Sequence, residues 1–311
     1  MKAAAVRQLG QDGVRYGLYF PLAALFPLPT AYGLAQAWGR LEARQAPPGL
    51  LDVIRSNAAE ALRPAEPPAV DMGEKFFEVM SCDRIDAYAA WLYSWRRLER
   101  WVRVSGEERL LSAVAEKRGI LLLTFHFGGG SLIFPYLRSR GLGAHLLANA
   151  LPQVRQVEGW IPYAFARRRF AQIARVTERE VIFVSATSPR KIQRALSAGG
   201  MVVALLDVLP EFVGVKAWRE QRVPFLGRPA RFPTSLLSIV ARADATIVPF
   251  FGWVGADRRR EFAFEEPRRV TDPDDTLAGL VGLLEQYIRR YPYEWHHWPV
   301  LQDFYRQAGE R

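Results

Sequence analysis

The sequence predicts an α/β fold, a mixed central sheet flanked by helices, with an apolar helical N-terminal segment ahead of it. Two observations carry this prediction. Short continuous apolar runs at 120–125, 181–184, 201–206 and 246–251 alternate with helical or loop-like stretches, the pattern of strands buried on both faces. The first of these runs is followed, after His126 and Phe127, by three consecutive glycines and then a stretch of helical character, 132–138. With 311 residues, half of them hydrophobic, the chain can bury one large core or two modest ones.

Taken in chain order, the N-terminal segment comes first. No residue between Arg15 and Arg40 is charged, and Tyr16, Tyr19, Phe20, Phe26, Tyr32 and Trp38 make the stretch aromatic. Its length would cross a bilayer, but Pro21, Pro27 and Pro29 interrupt it, and hydrocarbon does not replace the hydrogen bonds they remove. The reading is two short helices with an apolar face in a membrane interface, over residues 1–45. The alternative is that the segment packs on the protein's own core. Prolines and bulky aromatics argue against a signal peptide. A proline-rich stretch from Pro47 to Pro68 reads as an exposed connection inside a single α/β domain covering 46–311. From Phe76 to Val104 apolar positions recur at helical spacing and are expected to cover the sheet.

A net charge of +10, almost wholly from arginine, favours acidic partners: nucleic acid, anionic lipid or an acidic carrier protein. Against nucleic acid, the triplets Arg167–Arg169 and Arg258–Arg260 lack any zinc-finger, helix-turn-helix or aromatic RNA-reading pattern and read as solvated faces. A single cysteine, Cys82, excludes an internal disulfide and reads as a small buried apolar residue. No cofactor or metal is expected. There is neither a Gly-x-Gly-x-x-Gly loop nor a Walker lysine, and the adjacent pair His296, His297 lacks metal-ligand spacing and reads as packing or interfacial.

The candidate site is the turn after the first run, where His126 precedes Phe127, Gly128, Gly129, Gly130 and Ser131. Imidazole exchanges a proton near neutral pH, so a histidine there can deprotonate an attacking hydroxyl; the alternative is a capping or core histidine. Three glycines imply a backbone that is sharply turned or closely approached.

A strand ending in His-Phe-Gly and followed by a helix resembles the lipid A secondary acyltransferases, which present a His-x4-acid motif this way. The stretches 223–232 and 245–251 are similar to that family's Phe-x-Gly-Arg block and the proline-containing apolar block after it. Residues 190–207 resemble the family's approach to its cleft, and Pro292 with Trp295 its C-terminal Pro-x-x-Trp segment. The resemblance implies a glycerolipid acyltransferase-like fold at the cytoplasmic face of the bacterial inner membrane. It also implies transfer of a fatty acyl group from an acyl carrier protein or coenzyme A thioester to a hydroxyl of a lipid or glycolipid. His126 would be the base, backbone N–H groups of Gly128, Gly129 and Gly130 would hold the oxyanion, and Arg228, then Arg231, would bind phosphate. Either arginine could instead tie its loop to a carboxylate.

Where the family keeps an acid this chain has Ser131. A hydroxyl can orient an imidazole but cannot stabilise its charged form, and serine is also a good helix N-cap. Asp207 and Glu211, just after the run 201–206, are the carboxylates that could supply the missing charge. Three readings stand: an active acyltransferase with a modified dyad; a catalytically altered relative acting as a binding or scaffold protein, or acylating a carrier-bound secondary metabolite; and an enzyme with Ser131 as nucleophile. The last is disfavoured because the trailing glycine of a Gly-x-Ser-x-Gly elbow is absent.

Overall fold

In the computed structural model, residues 9–62, 71–150, 159–213 and 219–306 are described. The apolar runs form the centre of an eight-stranded mixed sheet. In chain order its strands are β1 (Val102–Ser105), β2 (Ile120–Thr124), β3 (Ala144–Ala148), β4 (Ile182–Phe183), β5 (Met201–Leu205), β8 (Thr246–Val254), β9 (Arg260–Phe264) and β10 (Arg268–Arg269). They lie side by side as β1-β9-β8-β2-β5-β3-β4, with β10 on β8. The block from β8 through β2, β5 and β3 to β4 is parallel, whereas β9 and β10 each run antiparallel to β8. All five residues of β2 are buried. Period-two alternation then sends Leu121 and Leu123 into one apolar layer and Ile120 and Leu122 into the other.

The first layer is covered by α2 (Leu50–Leu62), α7 (Ser188–Ser197), α8 (Ser235–Arg242) and α9 (Pro273–Arg290). The second is covered by α1 (Leu28–Arg44), α3 (Met72–Leu92), α4 (Glu107–Ala115), α5 (Ile133–Ser139) and α6 (Trp160–Thr177). Cys82 is buried there as a free thiol. Asp71 caps α3 by accepting from the N–H groups of Gly73 and Glu74, so α3 starts upstream of the first strongly periodic apolar residue.

The N-terminal segment does form helices, interrupted ahead of Pro27, while Pro21 and Pro29 lie within helical turns. Residues Arg15–Tyr19 make a π-helical turn that widens just ahead of Pro21, and α1 begins after Pro27. One face of this segment belongs to the core: Phe20, Ala23, Leu28, Tyr32 and Ala35 are buried against α3. The other face leaves Leu18, Leu22, Leu25 and Phe26 exposed. No helix among the described residues is long and apolar enough to cross a membrane.

Two expectations are corrected. The stretch 47–68 is not simply a connection, because α2 occupies its centre and buries Ile54, Ala58 and Ala61; its Pro-Ala-Glu-Pro-Pro portion lies outside the described residues. In the triplet Arg258–Arg260, Arg258 and Arg259 are exposed as expected, but Arg260 is not part of a solvated face. Strand alternation turns Arg260 inward, where it pairs with Asp86 at 2.5 Å, both fully buried.

Candidate active site

Sheet register brings the site together. In the parallel pair β2/β5, Thr124 stands opposite Leu205, and the Leu206 N–H donates to the Thr124 carbonyl. Two residues further along each chain come His126 and Asp207, which therefore leave the sheet side by side at its carboxyl edge, where open α/β sheets bind ligands. The His126 backbone N–H donates to both carboxylate oxygens of Asp207, at 2.9 and 3.0 Å, and His126 Nδ1 lies 2.9 Å from Oδ1. Trp295 Nε1–H donates to Oδ2 at 3.0 Å. Burial alone would push the Asp207 carboxyl up; the charge of His126 and His297 and the bonds from His126 and Trp295 hold it well below the usual carboxylate range. An ionised carboxylate at Nδ1 fixes the imidazole proton there. Nε2 is left free to accept one, and the His126 side chain remains 34% exposed.

The C-terminal segment clamps the turn from the other side. Phe127 and Trp295 form an antiparallel bridge, the His296 N–H donates to the His126 carbonyl at 2.8 Å, and the Gly128 N–H donates to the Glu294 carbonyl at 2.7 Å. Gly128 has φ +55°, and a Cβ there would drive into the Gly252 carbonyl oxygen. Gly129 is required for a different reason, since its Cβ would occupy the space of the Asp86 carboxylate and lie 2.6 Å from Arg260 Nη2. A buried network of Tyr32, Asp86 and Arg260 thus lies directly under the turn, with the Tyr32 hydroxyl donating to Asp86. Burial works against the Arg260 charge, but the Asp86 carboxylate paired with it holds the guanidinium protonated. The clamp also corrects one expectation: the Gly128 N–H is committed to Glu294 and is not free to meet an oxyanion. Among the described residues no partner is found for the N–H groups of Gly129 and Gly130.

Beside His126 opens a cavity of about 400 Å³. Its walls are mostly apolar, with Phe134 from α5, Leu146 from β3, Phe170 and Ile173 from α6, Val203 from β5 and Phe250 from β8. Asp83, Arg169, Asn149 and His296 are among its polar residues.

The remaining candidates fall elsewhere. Ser131 does not reach His126. Its Oγ is buried without a hydrogen-bond partner, beside a small void shared with Ala87, Trp91 and Gln172. Nor does it cap a helix, because α5 starts after Leu132 with no side-chain cap. Ser131→Ala is therefore expected to leave activity unchanged and to raise stability by roughly 1 kcal/mol, since it removes an unsatisfied buried hydroxyl. Parallel turnover and denaturant-unfolding measurements check this; a large loss of turnover would return Ser131 to the site.

Glu211 pairs with Arg231 at 2.7 Å instead of approaching His126. Arg231 and Arg228 lie on β7 (Arg228–Pro233), which forms a hairpin with β6 (Glu220–Phe225). Three residues apart on one strand, they point to opposite faces. Arg231 is buried with Glu211 and Glu220; Arg228 pairs with Glu60 at 2.9 Å and lies over the Tyr305 ring. Neither lines the His126 cavity. Sequence reasoning assigned no site role to Trp295, Glu294 or His297. The signal was the Glu-Trp-His-His-Trp cluster, read as packing because nothing local indicated that it returns to the first strand.

A histidine–carboxylate pair at the carboxyl edge of a mixed sheet, beside a mostly apolar cavity, defines a class of site suited to general-base chemistry on a lipid-like substrate. The comparisons make the class specific. Residues 65–299 match the family model described as bacterial lipid A biosynthesis acyltransferase, and the chain belongs to that family. It is also similar to the lipid A biosynthesis lauroyltransferase of Escherichia coli (strain K12), at 31% identity over 106 residues, which cover 34% of this chain. The chain thus spans about a third of that relative's length, 35%.

Proposed function

We propose that this chain transfers a fatty acyl group from an acyl thioester, carried by an acyl carrier protein or coenzyme A, to a hydroxyl of a lipid A-like lipid or glycolipid. The observation that carries the reading is the 2.9 Å contact between His126 Nδ1 and Asp207, which directs Nε2 to the substrate side. His126 Nε2 takes the acceptor hydroxyl proton as that oxygen attacks the thioester carbonyl. Asp207 stabilises the imidazolium, and the N–H groups of Gly129 and Gly130 are the donors available to the tetrahedral oxyanion. As the C–S bond breaks, the proton passes from His126 to the departing thiolate. Ser131 is the main reason to suspect a catalytically altered relative; the Asp207 carboxylate, 2.9 Å from His126 Nδ1, supports the active reading instead.

The apolar walls of the cavity suit an acyl chain. Exposed Leu18, Leu22, Leu25 and Phe26, with Trp160 exposed at the start of the neighbouring helix α6, support seating on a membrane surface, in bacteria the cytoplasmic face of the inner membrane. The test is expression of wild type and His126→Ala at matched levels in a bacterial host, with mass spectrometry of extracted lipids and parallel assays on acyl carrier protein and coenzyme A donors. An added acyl chain seen only with wild type supports the reading. Identical lipid profiles from two folded proteins, with acceptor and donor present, would overturn it.

A further inference from the structure

The proposed mechanism makes no use of His297, yet this ring is buried against the catalytic base. His297 Nε2 lies 2.9 Å from His126 Nδ1 and 3.8 Å from Asp207 Oδ2. Because Asp207 requires a proton on His126 Nδ1, a second N–H on His297 facing that same atom would repel it, so His297 Nε2 presents a lone pair. The His297 ring also hydrogen-bonds to the main chain of Asp207. A second imidazole is redundant for fixing a tautomer that Asp207 already fixes.

What the three groups share is a single proton. Move it away and two imidazole nitrogens and a carboxylate oxygen are left with their ligand atoms all within 4.8 Å of one another. Each ligand atom of a zinc ion stands about 2.0–2.2 Å from the metal, and two histidines with one carboxylate is a donor set zinc accepts. We propose that His126, Asp207 and His297 form a divalent-metal site, suited to zinc, and that filling it switches the enzyme off. Zinc takes the Nδ1 lone pair of His126 as the proton moves from Nδ1 to Nε2. The ring stays neutral and no proton is lost, but Nε2 now carries a hydrogen and cannot accept one from the acceptor hydroxyl. The inhibitory consequence rests on the acyl-transfer reading; the metal site does not.

The test uses the full chain in detergent micelles after dialysis against a chelator. Zinc binding is followed by calorimetry and cobalt binding by visible absorption, for wild type, His297→Leu, Asp207→Asn and the surface control His145→Ala. The expected result is one ion per chain in wild type and His145→Ala, affinity weakened more than about tenfold in His297→Leu and Asp207→Asn, and acyl transfer by wild type that falls as zinc is added. Circular dichroism checks each fold, and Asp207→Asn carries the test if His297→Leu does not fold. The proposal is overturned by the absence of stoichiometric binding, by equal binding in the His297 and Asp207 variants, or by transfer that requires zinc. Zinc bound through His297 in a protein that transfers nothing, with or without the ion, would uphold the site and sink the acyl-transfer reading instead.

Discussion

Asp207→Asn is expected to cut turnover about 10⁴-fold, the scale on which a serine-protease-type triad suffers when its carboxylate becomes an amide. The reason is local. Three donors converge on Asp207: the His126 backbone N–H, His126 Nδ1–H and Trp295 Nε1–H. An amide brings donors of its own into this acceptor position. Turned toward the imidazole, its N–H pairs with a bare Nδ1 and sends the ring proton to Nε2, where it blocks base chemistry. His126→Ala removes the base outright and is expected to lose about 10²–10⁴-fold. If the two side chains act as one unit, the double variant is no slower than the slower single one. Turnover per folded protein, measured for all three at a temperature below unfolding, decides it. Multiplying losses in the double variant, or an Asp207→Asn enzyme close to wild type, would sink the dyad.

That dyad was half legible in the sequence. His126 could be found because everything that marks it is local: an apolar strand before it, three glycines after it, a helix beyond. Asp207 could be named as the nearest carboxylate past another predicted strand, but its contact with His126 depends on β2 and β5 being parallel neighbours in a particular register, which apolar runs do not encode. The central strands were legible because burial on both faces leaves them uniformly apolar. The β6/β7 hairpin was not, since its arginines and prolines mask alternation and its turn uses Leu226 and Gly227 at positive φ. For the same reason Arg228 and Arg231 looked like phosphate ligands: a strand with its carboxylate partners on α2, on β6 and near β5 cannot be told, from sequence, from a strand with free cations. Trp295, Glu294 and His297 lay beyond reach because they act about 170 positions from the turn they clamp.

Glu294 carries the second large effect. It is fully buried, and burial is the main cause of a carboxyl pushed up to about 7 from its ordinary 4.5, against the opposing pull of Arg260, the Val254 N–H and Lys75, and with Asp86 adding to the rise. The folded state therefore holds this proton more tightly than the unfolded chain does. Stability from the protonated form is complete below pH 4.5 and is lost as pH rises through 7, a fall on the order of 3 kcal/mol. Glu294→Gln removes the titration and keeps a carbonyl to accept from the Val254 N–H, so its stability relative to wild type rises by about that amount between pH 4.5 and 8. Comparing the two proteins at each pH cancels the titration of every other group, which both share. Chemical unfolding of the pair at pH 5 and pH 8 is the measurement; an equal difference at the two values would mean that Glu294 is already ionised under the turn, held by Arg260. The same variant tests the clamp itself, because the Glu294 carbonyl that accepts from Gly128 belongs to the main chain and survives the substitution. A Glu294→Gln protein that gains stability at pH 8 yet keeps its turnover would separate the titrating side chain from the backbone bond that shapes the catalytic turn.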